Sequence, residues 1–372
     1  MGSSPDDVGN TDHETSFPAT VVGIAALYLT IVRFLRYRNY DHISQLPRPK
    51  TEADAHLILN LSQGMDFPFL VRKSLEFGLF KTYSIPSISK LLVATKQLTE
   101  HTSRRYDDTD LIMCHMTEDP LYSPLAQLAV RRLNELHGKY VIPNEDYLYV
   151  LSVFIVEPAR WIERYGFRPL HRNELDSFHL KYTNIGLQMG IQQVPKSFEE
   201  AADYMDSYED KYMTFHPANA KLAASTTALF LSSVPSIFHP PAQRVLHALC
   251  PPRLRKAMGF PEPPVWASTA AHAALVIAQL THRYLVLPRW RILRRTQPWT
   301  AVCPFAKTGD DAVNINLTQR YTVFEDNYPL GYTIPMLGPL DWGHARRLES
   351  NYLYDNMMYQ STIIEQHVTL EM

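Results

Sequence analysis

The feature that most constrains this chain is a succession of helical runs with their own start and stop signals. No clear strand alternation occurs before about residue 300. SPLAQLAVRRLNELHG, residues 123–138, spaces its apolar residues for one helix face and ends at Gly138, a natural C-terminal stop. TEADAHLILNL starts at Thr51 as a cap, SISKLLVATKQL has helical spacing, and Ser197-Phe-Glu-Glu200 is a capping box. NEDYLYVLSVFIVEPARWIERYG predicts a longer helix with Asn144 as its N-cap and acidic residues in the first turn. Pro158 within it predicts a kink or a split into two helices.

Two further runs, residues 222–238 and 265–281, carry no charged side chain. Their Ser, Thr and His content and their short length point to buried core helices rather than membrane spans. These runs predict an all-α fold. A single multi-helix globular domain covers residues 48–300, and an irregular C-terminal extension, rich in Tyr, Pro and Gly, covers residues 301–372.

Residues 17–35, FPATVVGIAALYLTIVRFL, are uncharged up to Arg33, and they predict a transmembrane anchor. The preceding residues 1–16 form an acidic tail without the basic start of a signal peptide. Arg33, Arg36 and Arg38 follow the span. The positive-inside rule then orients the anchor as a single pass with the N-terminus in the lumen and the domain in the cytosol. The glycosylation sequons at Asn60 and Asn316 are expected to stay unmodified in that topology. RYLVLPRWRILRR, residues 283–295, alternates basic and apolar residues around Trp290, as interfacial segments do; a basic solvated helix flank has the same pattern.

With 36 basic and 38 acidic residues the net charge is −2, which leaves no basic excess for nucleic acid. Cys114, Cys250 and Cys303 are far apart and fit neither a disulfide framework nor a C-x-x-C site, which suggests a reducing compartment. The oligomeric state is not legible. G-x-G-x-x-G, P-loop, H-E-x-x-H and G-x-S-x-G motifs are missing. A helical protein without them commonly works through a cofactor held between helices.

Two segments are dense in polar groups on apolar helices. One holds Arg132, Asn134 and His137; the other holds Glu157, Arg160, Trp161, Arg164 and Arg168. Arg160, Arg164 and Arg168 repeat every four residues and share a face if the helix runs that far. The anions answering them are either internal (Glu157, Glu163, Glu174) or the carboxylates of a bound cofactor. His137 can be a metal ligand, a base or a cap for its own helix end. His171, Glu174 and His179 form a looser metal candidate.

The order ISKLLVATKQL, RRYDDTDLI, RRLNELHGKY, EDYLYVLSVFIVEPARWIERYGFRPL resembles a fungal family of ER-bound oxygenases. That family includes the enzyme that cleaves the farnesyl-derived side chain in mycophenolic acid biosynthesis. More distantly the order is similar to the catalytic domain of the latex clearing proteins, which cleave polyisoprene. The most specific pieces are R-x-N-x-L-H, met by Arg132, Asn134, Leu136 and His137, and E-P-x-x-W-I, met by Glu157, Pro158, Trp161 and Ile162. The resemblance implies oxidative cleavage of a C=C bond by O2 in an apolar isoprenoid-type substrate, at the endoplasmic reticulum membrane. It implies a b-type haem, with the family's arginine at Arg132. The latex clearing proteins' axial histidine falls on LYVLSVFIVEP, which has none, so His137 takes that place or the haem does not transfer. Under this reading Arg132, Asn134 and His137 are catalytic, and Arg160, Trp161, Arg164 and Arg168 bind the cofactor. The competing readings are an oxygenase with a non-haem metal near His137 or His171, and a non-catalytic lipid or prenyl carrier.

Overall fold

A computed structural model of the chain describes residues 16–294, 296–302 and 314–320, together with Ile334, Leu337 and Gly338. The helices in chain order are α1 (Ser16–Arg36), α2 (Arg38–Gln45), α3 (Glu52–Leu61), α4 (Pro68–Thr82), α5 (Pro86–Ala94), α6 (Gln97–Glu100), α7 (Thr102–Glu118) and α8 (Pro124–His137). They continue as α9 (Asn144–Tyr165), α10 (Arg172–Gln188), α11 (Phe198–Tyr212), α12 (Pro217–Leu231), α13 (His239–Leu249), α14 (Pro252–Met258) and α15 (Val265–Tyr284). The expected all-α architecture is what the structure shows. Among the described residues it adds an antiparallel pair of β1 (Thr296–Val302) and β2 (Asn314–Arg320), with Trp299 opposite Leu317. The rest of the expected C-terminal extension and the acidic tail, residues 1–15, lie outside the described residues, as do Cys303 and the side chain of Asn316.

Local chemistry sets the helix starts. Pro68, Pro86, Pro124, Pro217 and Pro252 each open a helix, where the missing N–H costs nothing. Thr51 makes a full capping box with Asp54. Ser123 Oγ accepts the Ala126 N–H at 3.3 Å, and Ser197 Oγ accepts the Glu200 N–H at 3.2 Å. The Glu200 carboxylate, however, takes the Lys196 N–H rather than closing the box on Ser197. The cap of α9 differs from expectation: Pro143 precedes it, and the Asn144 amide instead pairs with the Gln192 backbone at 2.9 and 3.1 Å.

Helix α9 forms the axis of the domain. It packs against α4, α10 and α11, and buries Leu148, Leu151, Val153, Ile155, Val156 and Ile162. Pro158 does not split it. An internal proline costs about 3 kcal/mol. Each of these buried aliphatic side chains contributes about 1.5–3 kcal/mol, so packing outweighs the break. Two glycines allow the close approach. A Cβ on Gly78 of α4 would lie 2.9 Å from Val153, and one on Gly186 of α10 would lie 2.6 Å from Leu151.

The two uncharged runs have different fates. α12 buries Leu222, Ala223, Thr226, Thr227 and Leu231. α15 buries only Ala267 and Ala271 and leaves the rest partly or fully exposed, contrary to the expectation of a core helix. Among the described residues one helix is long and apolar enough to cross a membrane, and it begins with α1.

Candidate active site

His137 closes α8, and the ring of Tyr147, near the start of α9, lies 5.8 Å from its imidazole, centroid to centroid. The Nδ1 atom of His137 is buried and has no hydrogen-bond partner among the described residues. Burial, reinforced by the nearby positive charge of Arg105, pushes its pKa down to about 4, so the imidazole is neutral at neutral pH. Arg105 comes from α7 and is held by the buried carboxylate of Asp108, at 3.3 Å. The charge of Arg105 also reaches Tyr83, whose phenol burial pushes up to about 12. Asp108 accepts the Gly338 N–H at 3.1 Å. Ile334 and Leu337 are buried, and a Cβ on Gly338 would lie 3.1 Å from Leu136. Residues of the C-terminal extension therefore seat directly on α7 and α8. The buried hydroxyls of Thr226 and Thr227, on the helix packed against α7, also have no partner among the described residues.

The arginine whose charge acts on His137 is thus Arg105. Arg132 turns away, donating to the Leu337 carbonyl, from Nε at 3.1 Å, and to Glu135 at 2.9 Å. Asn134 donates to the Gln188 carbonyl at 2.9 Å and ties α8 to α10. Arg105, Tyr83 and Tyr147 were not singled out by sequence reasoning. The stretch RRYDDTD, which contains Arg105, was the available signal.

A second polar centre lies further along α9. Arg160 is thirteen residues beyond Tyr147, about 20 Å along the helix axis. There a cavity of about 180 Å³ is lined by Phe77, Lys81, Glu157, Arg160, Trp161 and Arg164. Lys81 Nζ lies 2.6 Å from both Glu157 and Glu209. Burial opposes its charge, but the two carboxylates outweigh it and raise the pKa. Burial also raises Glu209, against the pull of Lys81. Arg160 grips Asp206 through two bonds of 2.8 and 2.6 Å. Trp161 packs on Phe77 and Tyr165. The Arg164 guanidinium lies 5.8 Å from the Tyr165 ring centroid.

Arg168 does not join that face, because α9 ends at Tyr165. Its guanidinium is buried between the rings of Tyr40 and Phe67 and donates to Asp66, Glu174 and the Pro169 carbonyl. These five bonds use all five donors, which leaves none for a cofactor carboxylate. The metal candidate on the next helix also dissolves. His171 caps α10, its Nδ1 accepting the Asn173 N–H at 3.2 Å, and Glu174 belongs to Arg168 and the His171 N–H. His179 Nε2 lies 2.8 Å from the Pro195 carbonyl. Among the described residues no group of three or more His, Cys, Asp or Glu side chains converges on a metal-sized site.

Helices thus surround a half-buried, neutral His137 that feels the positive charge of Arg105. Residues 93–287 match the catalytic domain of the ER-bound oxygenase mpaB/B'/rubber oxygenase family, and the chain belongs to that family. It is an oxygenase, and dioxygen is its co-substrate. It is 31% identical to the ER-bound oxygenase mpaB' of Penicillium brevicompactum over 301 residues, 74% of this chain and 71% of that protein. It is also 31% identical to the ER-bound oxygenase mpaB of Penicillium roqueforti (strain FM164), over 65% of this chain and 90% of that protein. The mpaB of Penicillium brevicompactum is 32% identical over 57% of this chain and 61% of its own length.

Proposed function

We propose that the chain is a membrane-anchored oxygenase that uses O2 at a b-type haem to cleave a C=C bond in an apolar, isoprenoid-type metabolite. The observation that carries this reading is the state of His137. An iron ligand must be a neutral imidazole with an available ring nitrogen. His137 is neutral, and its Nδ1 is buried without a partner among the described residues. The residues present therefore fit haem.

Haem, when bound, supplies the binding and activation of dioxygen. The chain's own residues supply the surroundings. His137 would hold the group through its imidazole. Arg105, fixed by Asp108, places a positive charge beside the site, where it stabilises negative charge developing on reacting atoms. Tyr83 stays protonated and keeps its proton available for donation. Ile112, Met116 and Leu136 belong to the surrounding apolar core that excludes water. At the other end of α9, Arg160, Trp161 and Arg164 line the separate cavity, where Arg164 is placed to receive a carboxylate.

The relatives are named ER-bound, and α1 is followed by Arg33, Arg36 and Arg38. Both support a single-pass anchor in the endoplasmic reticulum membrane with the domain in the cytosol. An apolar substrate concentrates in the same lipid, which raises its effective concentration at a tethered enzyme.

The test is an absorption spectrum and metal analysis of the full chain, purified in detergent from cells supplied with a haem precursor. A Soret band with equimolar iron, lost in His137→Ala while the protein stays folded, is the expected result. A folded, colourless wild-type chain overturns the haem reading. Iron without porphyrin would then indicate a non-haem oxygenase, and apolar-ligand binding without O2 uptake a carrier.

A further inference from the structure

We infer that α15 and the strap after it, residues 285–293, form a second lipid-contacting face, sunk in the leaflet that α1 enters. Its partner is the acyl and anionic headgroup region of a phospholipid bilayer. The inference rests on α1 being a membrane anchor and goes beyond it, because it sets the depth of the catalytic domain. The Tyr28 hydroxyl of α1 donates to the Leu285 carbonyl at 2.6 Å, and Arg36, the last residue of α1, donates to the Val286 carbonyl. α15 also packs against α1. Tyr28 lies eight residues before Arg36, about 12 Å along the axis. Two consecutive strap carbonyls are therefore bound by the last turns of α1. If Arg33 lies among headgroups, those turns occupy the outer ~10 Å of the leaflet, and the strap, which buried Arg36 holds, lies level with them.

The surface at that level has a lipid-facing composition. From Val265 to His282, α15 has no Asp, Glu, Lys or Arg, although Ile277 is 63% exposed and Leu280 48%. A water-facing helix surface is normally charged. The strap adds exposed Leu285, Leu287, Trp290, Ile292 and Leu293. These side chains are fixed in place, because the Leu293 N–H donates to the Gly64 carbonyl at 2.9 Å and Arg289 to the Met65 carbonyl at 3.3 Å. Arg38 lies over the Trp290 ring at 4.2 Å, Arg283 precedes the strap and Arg291 lies within it. Indole and guanidinium groups at one level are the composition of a headgroup zone. An apolar surface continuous with a membrane helix is covered most simply by the same membrane. A domain seated this way receives apolar substrate from the leaflet without passing it through water.

The experiment uses the full chain reconstituted in vesicles containing anionic phospholipid. Nitroxide labels are placed by Ile277→Cys, Leu287→Cys, Ala25→Cys on α1 and Glu199→Cys on α11, with the native cysteines replaced by Ala. Collision with O2 is compared with collision with a water-soluble nickel chelate. The expected result is a several-fold higher O2-to-nickel ratio at 25, 277 and 287 than at 199. A lipid signal at 25 with water signals at 277 and 287 overturns the inference and leaves the anchor standing. Water signals at all four positions overturn the anchor and the inference together. Shielding of 277 from both agents assigns the face to a second copy of the chain and also overturns it. Should the cysteine-free chain misfold, the native sequence answers the same question through its tryptophans. Acyl-brominated lipid should quench their emission, and Trp290→Phe should remove much of that quenching; no quenching overturns the inference.

Discussion

Arg168 holds Glu174 through two parallel hydrogen bonds of 2.8 and 2.9 Å, wholly inside the protein, while its remaining donors reach Asp66 and the Pro169 carbonyl. The pair joins the turn after α9 to the first turn of α10, and Asp66 brings in the segment before α4. Opposing ions so buried cost much to separate. Arg168→Met, which strands two carboxylates, is expected to destabilise the fold by about 3–5 kcal/mol. Arg168→Lys should recover only part, because an ammonium cannot fork onto two carboxylates. Urea denaturation measures both. Cofactor content per folded molecule should not change, and a drop there would instead place Arg168 at the cofactor.

Lys81 neutralises two carboxylates at once. Lys81→Met leaves Glu157 and Glu209 facing each other in a buried space, with an expected loss of about 3–5 kcal/mol. Replacing all three by apolar residues should cost less than the single change. If the single variant proves as stable as the wild type, the cluster is hydrated and the ion pairs contribute little.

His137 makes stability depend on pH with a defined sign. Its folded pKa, about 4, lies below the unfolded value near 6.5, so the unfolded chain takes up a proton that the folded chain refuses. The associated stability is fully present above pH ~6.5 and is lost as the pH falls toward 4, on the order of 3 kcal/mol in total. In urea titrations of the cofactor-free protein, His137→Phe should flatten that slope. His56, also lowered to about 4 by burial, keeps its own share of the slope in the variant. An unchanged slope would mean that His137 protonates freely in the folded state.

Arg105 acts on that histidine electrostatically. Arg105→Gln removes a positive charge and should raise the His137 pKa, which can be followed by imidazole proton resonances in the cofactor-free chain. In the loaded enzyme the same change should lower the turnover rate for O2 consumption more than it alters the substrate concentration for half-saturation, since the charge is needed at the reacting atoms. Arg132→Gln, which instead loosens Leu337, should leave the His137 titration unmoved.

Asn60 is expected to carry no glycan when the chain is expressed in fungal cells, because the proposed topology keeps α3 in the cytosol. Its amide lies 2.9 Å from His56 Nε2, within a helix. Mass spectrometry of the intact protein decides this, and a glycan at Asn60 would reverse the proposed orientation.

Helix content, the Thr51 cap and the apolar α1 were legible because each depends on residues within a few positions of one another. So was the family, through contiguous motifs. Tertiary structure decided the rest. Pro158 stays inside one helix because three neighbours pack around it. Arg168 finds Asp66 across a hundred residues of chain, and no local pattern signals that meeting. The charge of Arg105 rather than of Arg132 acts on His137, because α7 packs on α8 and the Leu337 carbonyl takes Arg132. α15 reads as a core helix because its residues are apolar. Whether such a helix faces protein or lipid depends on what packs against it, and one stripe of small residues, Ala267 and Ala271, is all of α15 that is fully buried. Spacing along the chain determines which elements form; the burial of each face, and so the chemistry of each side chain, is set by partners distant in sequence.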